Sequence, residues 1–408
     1  MKSDKGLASA YTQLLLQHLT VERHETGEEI PVPSLAGSIL ECADGALDAF
    51  RRLARNNLLS GIDGSALLTE RAKFLGFSNP GQVSANGSCR LMPCETGWMA
   101  LNLAREEDWE LMPAWLETEV GSGDWQSIRS LVGSRSCVDL VERGRLLGLP
   151  VTVFDSHHAD HWFSVQTKGK PAISARSSPL VIDLSSLWAG PLCSHLLQYA
   201  GATVIKVESS TRPDSTRFAS PDFHNLINSG KYSVMLDLND QQGIANLTKL
   251  LRRADIVIES SRPRALRHLG IDAEKFVDQT PGLTWVSITG YGRNEPEANW
   301  VAFGDDAAIA AGAAVVSDCG PGFIGDAVSD PLTGIHAALA ALAGWQSGVG
   351  GLIDISLAGV TSFIMKVVGH TSAIDLTSES LTRVVSSTAA PLGADTDAVF
   401  KEFVDPCC

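Results

Sequence analysis

The sequence predicts an α/β protein: a Rossmann-like parallel sheet with helices on both faces, joined to a smaller α+β domain. Three observations lead there. From residue 180 onward, short apolar runs alternate with helical patterns, the signature of βαβ units. Before residue 165 the pattern mixes short helices with a hairpin. Between them, QTKGKPAISARSSP (166–179) is rich in Lys, Ser, Gly and Pro and lacks apolar periodicity, so it reads as a linker. The expected division is a smaller α+β domain over 1–165, a linker over 166–179 and the sheet domain over 180–408.

Each element follows from its pattern. Residues 34–58 carry apolar side chains at helical spacing, and 63–74 and 105–118 also read as helical. CRLMPCETGWMALNL (89–103) places two apolar runs around Glu95-Thr96-Gly97 and reads as a hairpin. Residues 124–147 read as two short helices, followed by a strand at Leu149–Phe154. In the second half, PLVIDL (179–184) suits a strand buried on both faces. Further strands are expected at Ala202–Glu208, Ala254–Glu259, Leu283–Ile288 and Gly351–Leu357. Helices are expected at Ala189–Ala200, Gln241–Arg253, 263–269, 306–316 and 331–346.

Composition excludes several roles. Among 408 residues, 44% are hydrophobic, enough for sizeable cores. The formal net charge is −15, which argues against nucleic acid as a partner, since phosphate backbones require a basic face. A local basic pocket for a phosphorylated small molecule stays open. No run of about 18 apolar residues occurs, so no membrane span is expected. The N-terminus lacks a signal-peptide apolar region, so a cytoplasmic location is expected. The eight cysteines contain no C-x-x-C pair, and no metal site is expected. Cys407-Cys408 reads as a disordered end.

A dinucleotide site is disfavoured. Glu208, ending the second strand, suits a ribose-binding acid. The first turn, DLSSLWAGP (183–191), has a single Gly and a Pro at the helix start, so no glycine cradle for a pyrophosphate exists.

DLSSLWAGP (183–191) followed by AGATVIKVE (200–208) resembles the opening of the family III CoA-transferases of the CaiB/BaiF type. The resemblance continues through NSGKYSVMLDL (228–238), ADIVIESSRP (254–263), VSITGYG (286–292), DPLTGIH (330–336) and GVGGLIDISL (348–357), and more loosely through APLGADTD (390–397). RLMPCETGWMAL (90–101) and LGLPV (147–151) resemble the small domain that normally follows the sheet, so this chain is similar to a transposed version of the family.

The resemblance implies an acyl-CoA:carboxylate CoA-transferase acting through a covalent aspartyl intermediate on Asp330. An ionised carboxylate, with an ordinary pKa of about 3.9, can attack a thioester. Asp330-Pro331 is also a good helix start, a role compatible with catalysis. Gly325, Asp326 and Gly334 are expected to shape the turn, with backbone N–H groups near Gly334 as an oxyanion site. Coenzyme A is implied as a substrate. Ser186, Leu187 and Trp188 lie where relatives touch CoA, Trp188 either stacking on adenine or filling the core. Arg262, Arg264, Arg267 and His268 cluster where ligands of open α/β sheets bind. Chain departures there, Ser260-Ser261 for the family's Asn-Phe and Ser209-Ser210 after Glu208, alter the CoA contacts. His336 reads as a packed histidine, His157-His158-Ala-Asp-His161 as a solvated loop, Asp305-Asp306 as a helix start and Lys231 as structural. The implied partners are acyl-CoA and a carboxylic acid, in a homodimer. The alternatives are an α-methylacyl-CoA racemase, whose His is not found at Val301–Asp306, and a non-catalytic CoA-binding subunit.

Overall fold

A computed structural model describes residues 4–24, 37–55, 59, 61–172, 174, 176–377, 383 and 387–405. Its centre is the expected parallel sheet. The strands are β1 (Cys89–Cys94), β2 (Gly97–Asn102), β3 (Val151–Val153), β4 (Ser164–Lys168), β5 (Leu180–Asp183), β6 (Thr203–Ser209), β7 (Tyr232–Leu236), β8 (Ile256–Glu259), β9 (Thr284–Thr289), β10 (Ala314–Ser317), β11 (Gly320–Phe323) and β12 (Gly351–Ser356). Seven of them form one sheet in the order β4-β12-β9-β8-β5-β6-β7. All neighbours pair in parallel except β4, which runs antiparallel to β12.

The central strands are apolar throughout because both faces are covered. Alternation sorts their side chains. Leu180 and Ile182 of β5 join one core with Val257, Trp285 and Leu352. Val181 joins the opposite core with Ile256, Ile258, Val286 and Ile353.

Helices close both faces. Before the sheet come α1 (Asp4–His24), α2 (Ile39–Ala54), α3 (Gly64–Leu67), α4 (Glu70–Leu75), α5 (Glu106–Glu110), α6 (Met112–Leu116), α7 (Trp125–Val132) and α8 (Cys137–Leu147). Within it lie α9 (Ala189–Tyr199), α10 (Thr216–Ala219), α11 (Pro221–Asn228), α12 (Gln241–Leu251), α13 (Pro263–His268), α14 (Ala273–Gln279), α15 (Gly304–Ala310), α16 (Ser329–Ser347), α17 (Leu357–Val368) and α18 (Thr396–Val399). Helices α12, α13 and α14 cover the first core. Helices α9, α16 and α17 cover the second, and α1 and α2 pack onto the same side. The Tyr11 hydroxyl of α1 meets His336 Nε2 of α16 at 2.9 Å. The β1–β2 hairpin, with β3 and helices α6 to α8, encloses a separate small core around Trp115.

Several expectations are corrected. The stretch 166–179 does not begin as a linker: Ser164–Lys168 is the antiparallel edge strand of the large sheet. Its polar sequence fits, because an edge strand is half solvated. The helix expected at 105–118 divides into α5 and α6 where Pro113 cannot continue a hydrogen-bond ladder. The helix expected at 306–316 ends at Ala310. Gly312 has φ 75, and Ala313 N–H donates back to Ala308 O at 2.9 Å, a left-handed helix stop. Strands β7, β10 and β11 and helices α1, α10, α11, α14, α17 and α18 carried no expectation. Cys407-Cys408 lies outside the described residues.

The carboxyl end of β5 is held by a buried ionic network. Asp183 accepts from Ser185 N–H at 2.9 Å and from the Ser185 and Ser194 hydroxyls. Lys231 Nζ approaches Asp183 Oδ2 at 3.3 Å and donates to Ser194 Oγ (2.7 Å), Pro191 O (2.9 Å) and Asn228 Oδ1 (2.9 Å). Lys206 Nζ donates to Ser185 O at 2.8 Å and pairs with Asp214 Oδ2 at 3.0 Å. Burial pushes the Asp183 carboxyl up, but Lys231 and Lys206 together with the two hydroxyls pull it down to about 2. Lys231 is thus structural: it anchors the turn that follows β5.

Removing one member of such a network strands its partner's charge. Lys231→Met should therefore cost about 3–5 kcal/mol. Urea unfolding checks this, and adding Asp183→Asn to the same chain should recover part of the loss.

Candidate active site

Asp330 is the second residue of α16, and its backbone N–H donates to Ala327 O at 2.9 Å. The turn that delivers it is tight: Ala327 has φ 43, the left-handed region that disfavours a β-carbon. The carboxyl faces the start of α15. A Cβ placed on Gly304 would lie 2.6 Å from Asp330 Oδ2 and 2.4 Å from Ala327 O, so only glycine fits there. The expected helix start at Asp305-Asp306 is present, with Phe303 N–H donating to Asp306 Oδ1 at 3.0 Å.

Four carboxyl groups crowd this junction. Asp305 Oδ1 accepts from Ala327 N–H at 2.9 Å, and Asp306 Oδ1 from Asn102 Nδ2 at 3.0 Å. Asp326 is held by Arg71 of α4, whose Nε donates to Oδ2 at 2.8 Å while Nη2 donates to Oδ1. The Arg71 guanidinium also lies 4.7 Å over the Trp188 ring. Burial pushes Asp330 up to about 7; Arg71 opposes the rise and Asp326 adds to it. Burial likewise lifts Asp305 to about 8 and Asp306 to about 7. Asp330 is thus held above the ordinary carboxylate range, near neutral pH.

Asp330 borders two cavities. One, of about 370 Å³, is walled by Arg71, Phe77, Asn102, Trp188, Phe223 and Phe303. The other, of about 380 Å³, is walled by Ser186, Ser260, Arg262, Thr289, Trp300 and Phe303. Arg105, Arg212, Arg262 and Trp300 are shared between this second cavity and a third, of about 880 Å³, which adds Arg145 and Arg264. A cleft therefore runs from arginines at its outer end to Asp330 at its inner end. Arg145 is stacked 3.6 Å over Trp300, which fixes part of this wall.

The expected CoA contacts divide. Ser186, Leu187 and Arg262 line the second cavity, and Arg262 and Arg264 the third. Leu187 has φ 71, and its N–H donates to Asp214 Oδ1 at 3.3 Å, so the buried network shapes this wall. Trp188 is 1% exposed and meets Phe223 edge-on at 5.4 Å; of its two readings, filling the core fits. Arg267 and His268 border none of these cavities. Arg267 is turned instead to Glu274 of α14 at 2.9 Å.

Other sequence candidates settle into the scaffold. Glu208 pairs with Arg217 and accepts from Asp214 N–H at 2.9 Å, so it is no free ribose ligand. His336 is packed: Nδ1 meets Leu332 O at 2.7 Å, Nε2 meets Tyr11, and burial lowers it to about 4. Gly334 lines none of the three cavities above, and a Cβ there would meet Ala189 O at 2.8 Å, so it sets the α16–α9 spacing. The three histidines at 157–161 line a separate cavity of about 410 Å³. Sequence reasoning missed Arg71, Asn102, Arg105 and Gly304; only the fold brings them to Asp330.

The pH dependence of stability follows from the raised carboxyls. Asp305, Asp306 and Asp330 bind protons more tightly folded than unfolded. Their contribution is complete below the unfolded pKa of about 4 and is lost as pH rises through 7 to 8. Asp305→Asn keeps the acceptor for Ala327 N–H and removes one titration. Its melting temperature should fall less between about pH 6 and pH 8.5 than that of the wild type. Calorimetry with an unchanged slope would refute the assignment.

The comparisons with known proteins agree on one family. The model of CoA-transferase family III matches residues 179–387. The succinate–glutarate CoA-transferase of Agrobacterium fabrum is 33% identical over 207 residues, 45% of this chain and 51% of its own length. The formyl-CoA:oxalate CoA-transferase of Escherichia coli O6:H1 is 33% identical over 181 residues, 41% of this chain and 44% of its own length. The chain thus spans about half the length of the curated relatives it matches. The crystal structure of a CAIB/BAIF family protein from Brucella suis is 28% identical, with a TM-score of 0.43, covering 48% of this chain and 56% of that one. No helix among the described residues is long and apolar enough to cross a membrane. The family match runs through every parallel strand, from β5 to β12, and includes Asp330: the chain belongs to CoA-transferase family III.

Proposed function

We propose that the chain is an acyl-CoA:carboxylate CoA-transferase with Asp330 as the covalent nucleophile. The observation that carries this reading is the position of Asp330, at the inner end of an arginine-lined cleft and the border of a second cavity. The arginines suit the phosphates of CoA, because guanidinium forks pair with phosphate oxygens. The cavity beyond Asp330 suits the acyl group and the acceptor acid.

The steps balance without any further reagent. The Asp330 carboxylate attacks the thioester carbonyl and expels the CoA thiolate, leaving a mixed anhydride. The thiolate attacks the aspartyl carbonyl of that anhydride, releasing the donor acid and leaving an aspartyl-CoA thioester. The acceptor carboxylate attacks this thioester, again expelling thiolate and forming a second anhydride. The thiolate then attacks the acceptor's acyl carbonyl, giving the new acyl-CoA and restoring Asp330. The energy of the thioester is kept throughout, provided water is excluded. Burial of the junction by Phe303, Trp188 and Ala327 serves that end.

A racemase would need a proton carrier opposite the Asp. Among the described residues, no histidine lines either cavity beside Asp330, which speaks against that reading.

Incubation with a panel of acyl-CoAs, succinyl-, glutaryl-, formyl- and acetyl-CoA among them, followed by hydroxylamine and mass spectrometry, tests the proposal. A hydroxamate on Asp330 is expected, and Asp330→Ala should lose about 10⁴-fold or more of turnover. Adduct formation should rise with pH through about 7, since the attacking form is ionised. Tight CoA binding with no adduct from any donor would refute the covalent mechanism.

A further inference from the structure

Asp330 must attack as a carboxylate, yet it stands among other acids. The charged groups around it come from four directions. Asp305 and Asp306 belong to α15, and Asp326 to the turn before α16. Arg71 comes from α4. Arg105, beyond β2, borders both cavities but is committed to Asp108, with Nε 3.0 Å from Oδ1. Arg71 is the cation that acts on Asp330.

Arg71 is also fixed. Its fork closes on Asp326, three residues after Phe323 and four before Asp330, and its plane lies over Trp188. It lines the 370 Å³ cavity that Asp330 also lines. It lies far outside the stretch 179–387 that carries the family match.

We propose that Arg71 is a positioning residue for the transfer reaction: through Asp326 it holds the turn that presents Asp330, and its charge favours the attacking carboxylate. This rests on the reading of Asp330 as nucleophile. The segment before the sheet is then a working part of the site. An Arg is suited to both tasks, because a planar fork fixes geometry while a permanent charge sets the field.

The test is the single-turnover acylation rate of Asp330, trapped with hydroxylamine, against pH. The donor is the most reactive acyl-CoA of the panel. Arg71→Met should move the midpoint upward by about one pH unit or more, as loss of a nearby opposite charge does. At pH 6 its rate should then fall about tenfold or more. Arg71→Lys should return the midpoint toward the wild type but leave a lower plateau, since an ammonium cannot make the bidentate pair. Should Arg71→Met not fold, with Asp326 left buried and unpaired, Arg71→Met/Asp326→Asn removes both charges. That double variant should keep a midpoint near the wild type with a reduced plateau. A wild-type midpoint and plateau in Arg71→Met, or in the double variant a wild-type plateau, would overturn the proposal. Failure of the wild type itself to form an adduct would instead overturn the role of Asp330.

Discussion

Four carboxyl groups and one guanidinium meet where α15 and α16 begin, and the site depends on how their charges are balanced. Burial disfavours the charged forms of Asp305, Asp306 and Asp330, and neighbouring carboxyls add to it, so these three retain protons near neutral pH. Asp305 and Asp306 at the start of α15 and Asp326 in the turn before α16 are buried beside the second core. Arg71 reduces the cost by pairing Asp326 outright and acting on Asp305 and Asp330 through space. A carboxyl group at Asp330 that is poised near neutrality is the consequence.

The backbone is adapted to the same crowding. Ala327 and Leu187 both adopt left-handed φ, and both face the cavities around Asp330. Such conformations persist only where the surroundings over-determine them. For Leu187 the determinant is the Asp183–Lys231–Lys206–Asp214 network, which binds the turn after β5 from beneath. For Ala327 it is Asp305, which accepts its N–H, together with the close approach permitted by Gly304. Two separate buried polar groups thus place the two walls of one cleft.

Charge is also graded along that cleft. Arg145, Arg212, Arg262 and Arg264 outnumber Glu107, Asp108 and Glu142 at the outer end, while Asp305 and Asp330 sit at the inner end. On a chain with a net charge of −15, such a local basic patch gives a polyanionic ligand one direction of approach.

The sheet was legible because its physics is local. Residues buried on both faces of a parallel sheet must be apolar, and βαβ spacing repeats along the chain, so β5, β6, β8, β9 and β12 could be read from 180 onward. Asp330 was legible through the motif around it. The edge strand β4 was not, since its half-solvated residues look like a linker until β12 pairs with them. Nor could pattern tell that Arg267 would turn to Glu274 while Arg262 and Arg264 face the cleft. Arg71 and Asn102 lie more than 200 residues before Asp306 and Asp330 in the chain, a separation no local signal spans. The sequence by itself determined the fold class, the family and the motif that contains Asp330, because these rest on periodicity and local pattern. Only the tertiary structure decided the charge on Asp330 and the company it keeps, because electrostatic coupling depends on distance in space and on burial, neither of which is written along the chain.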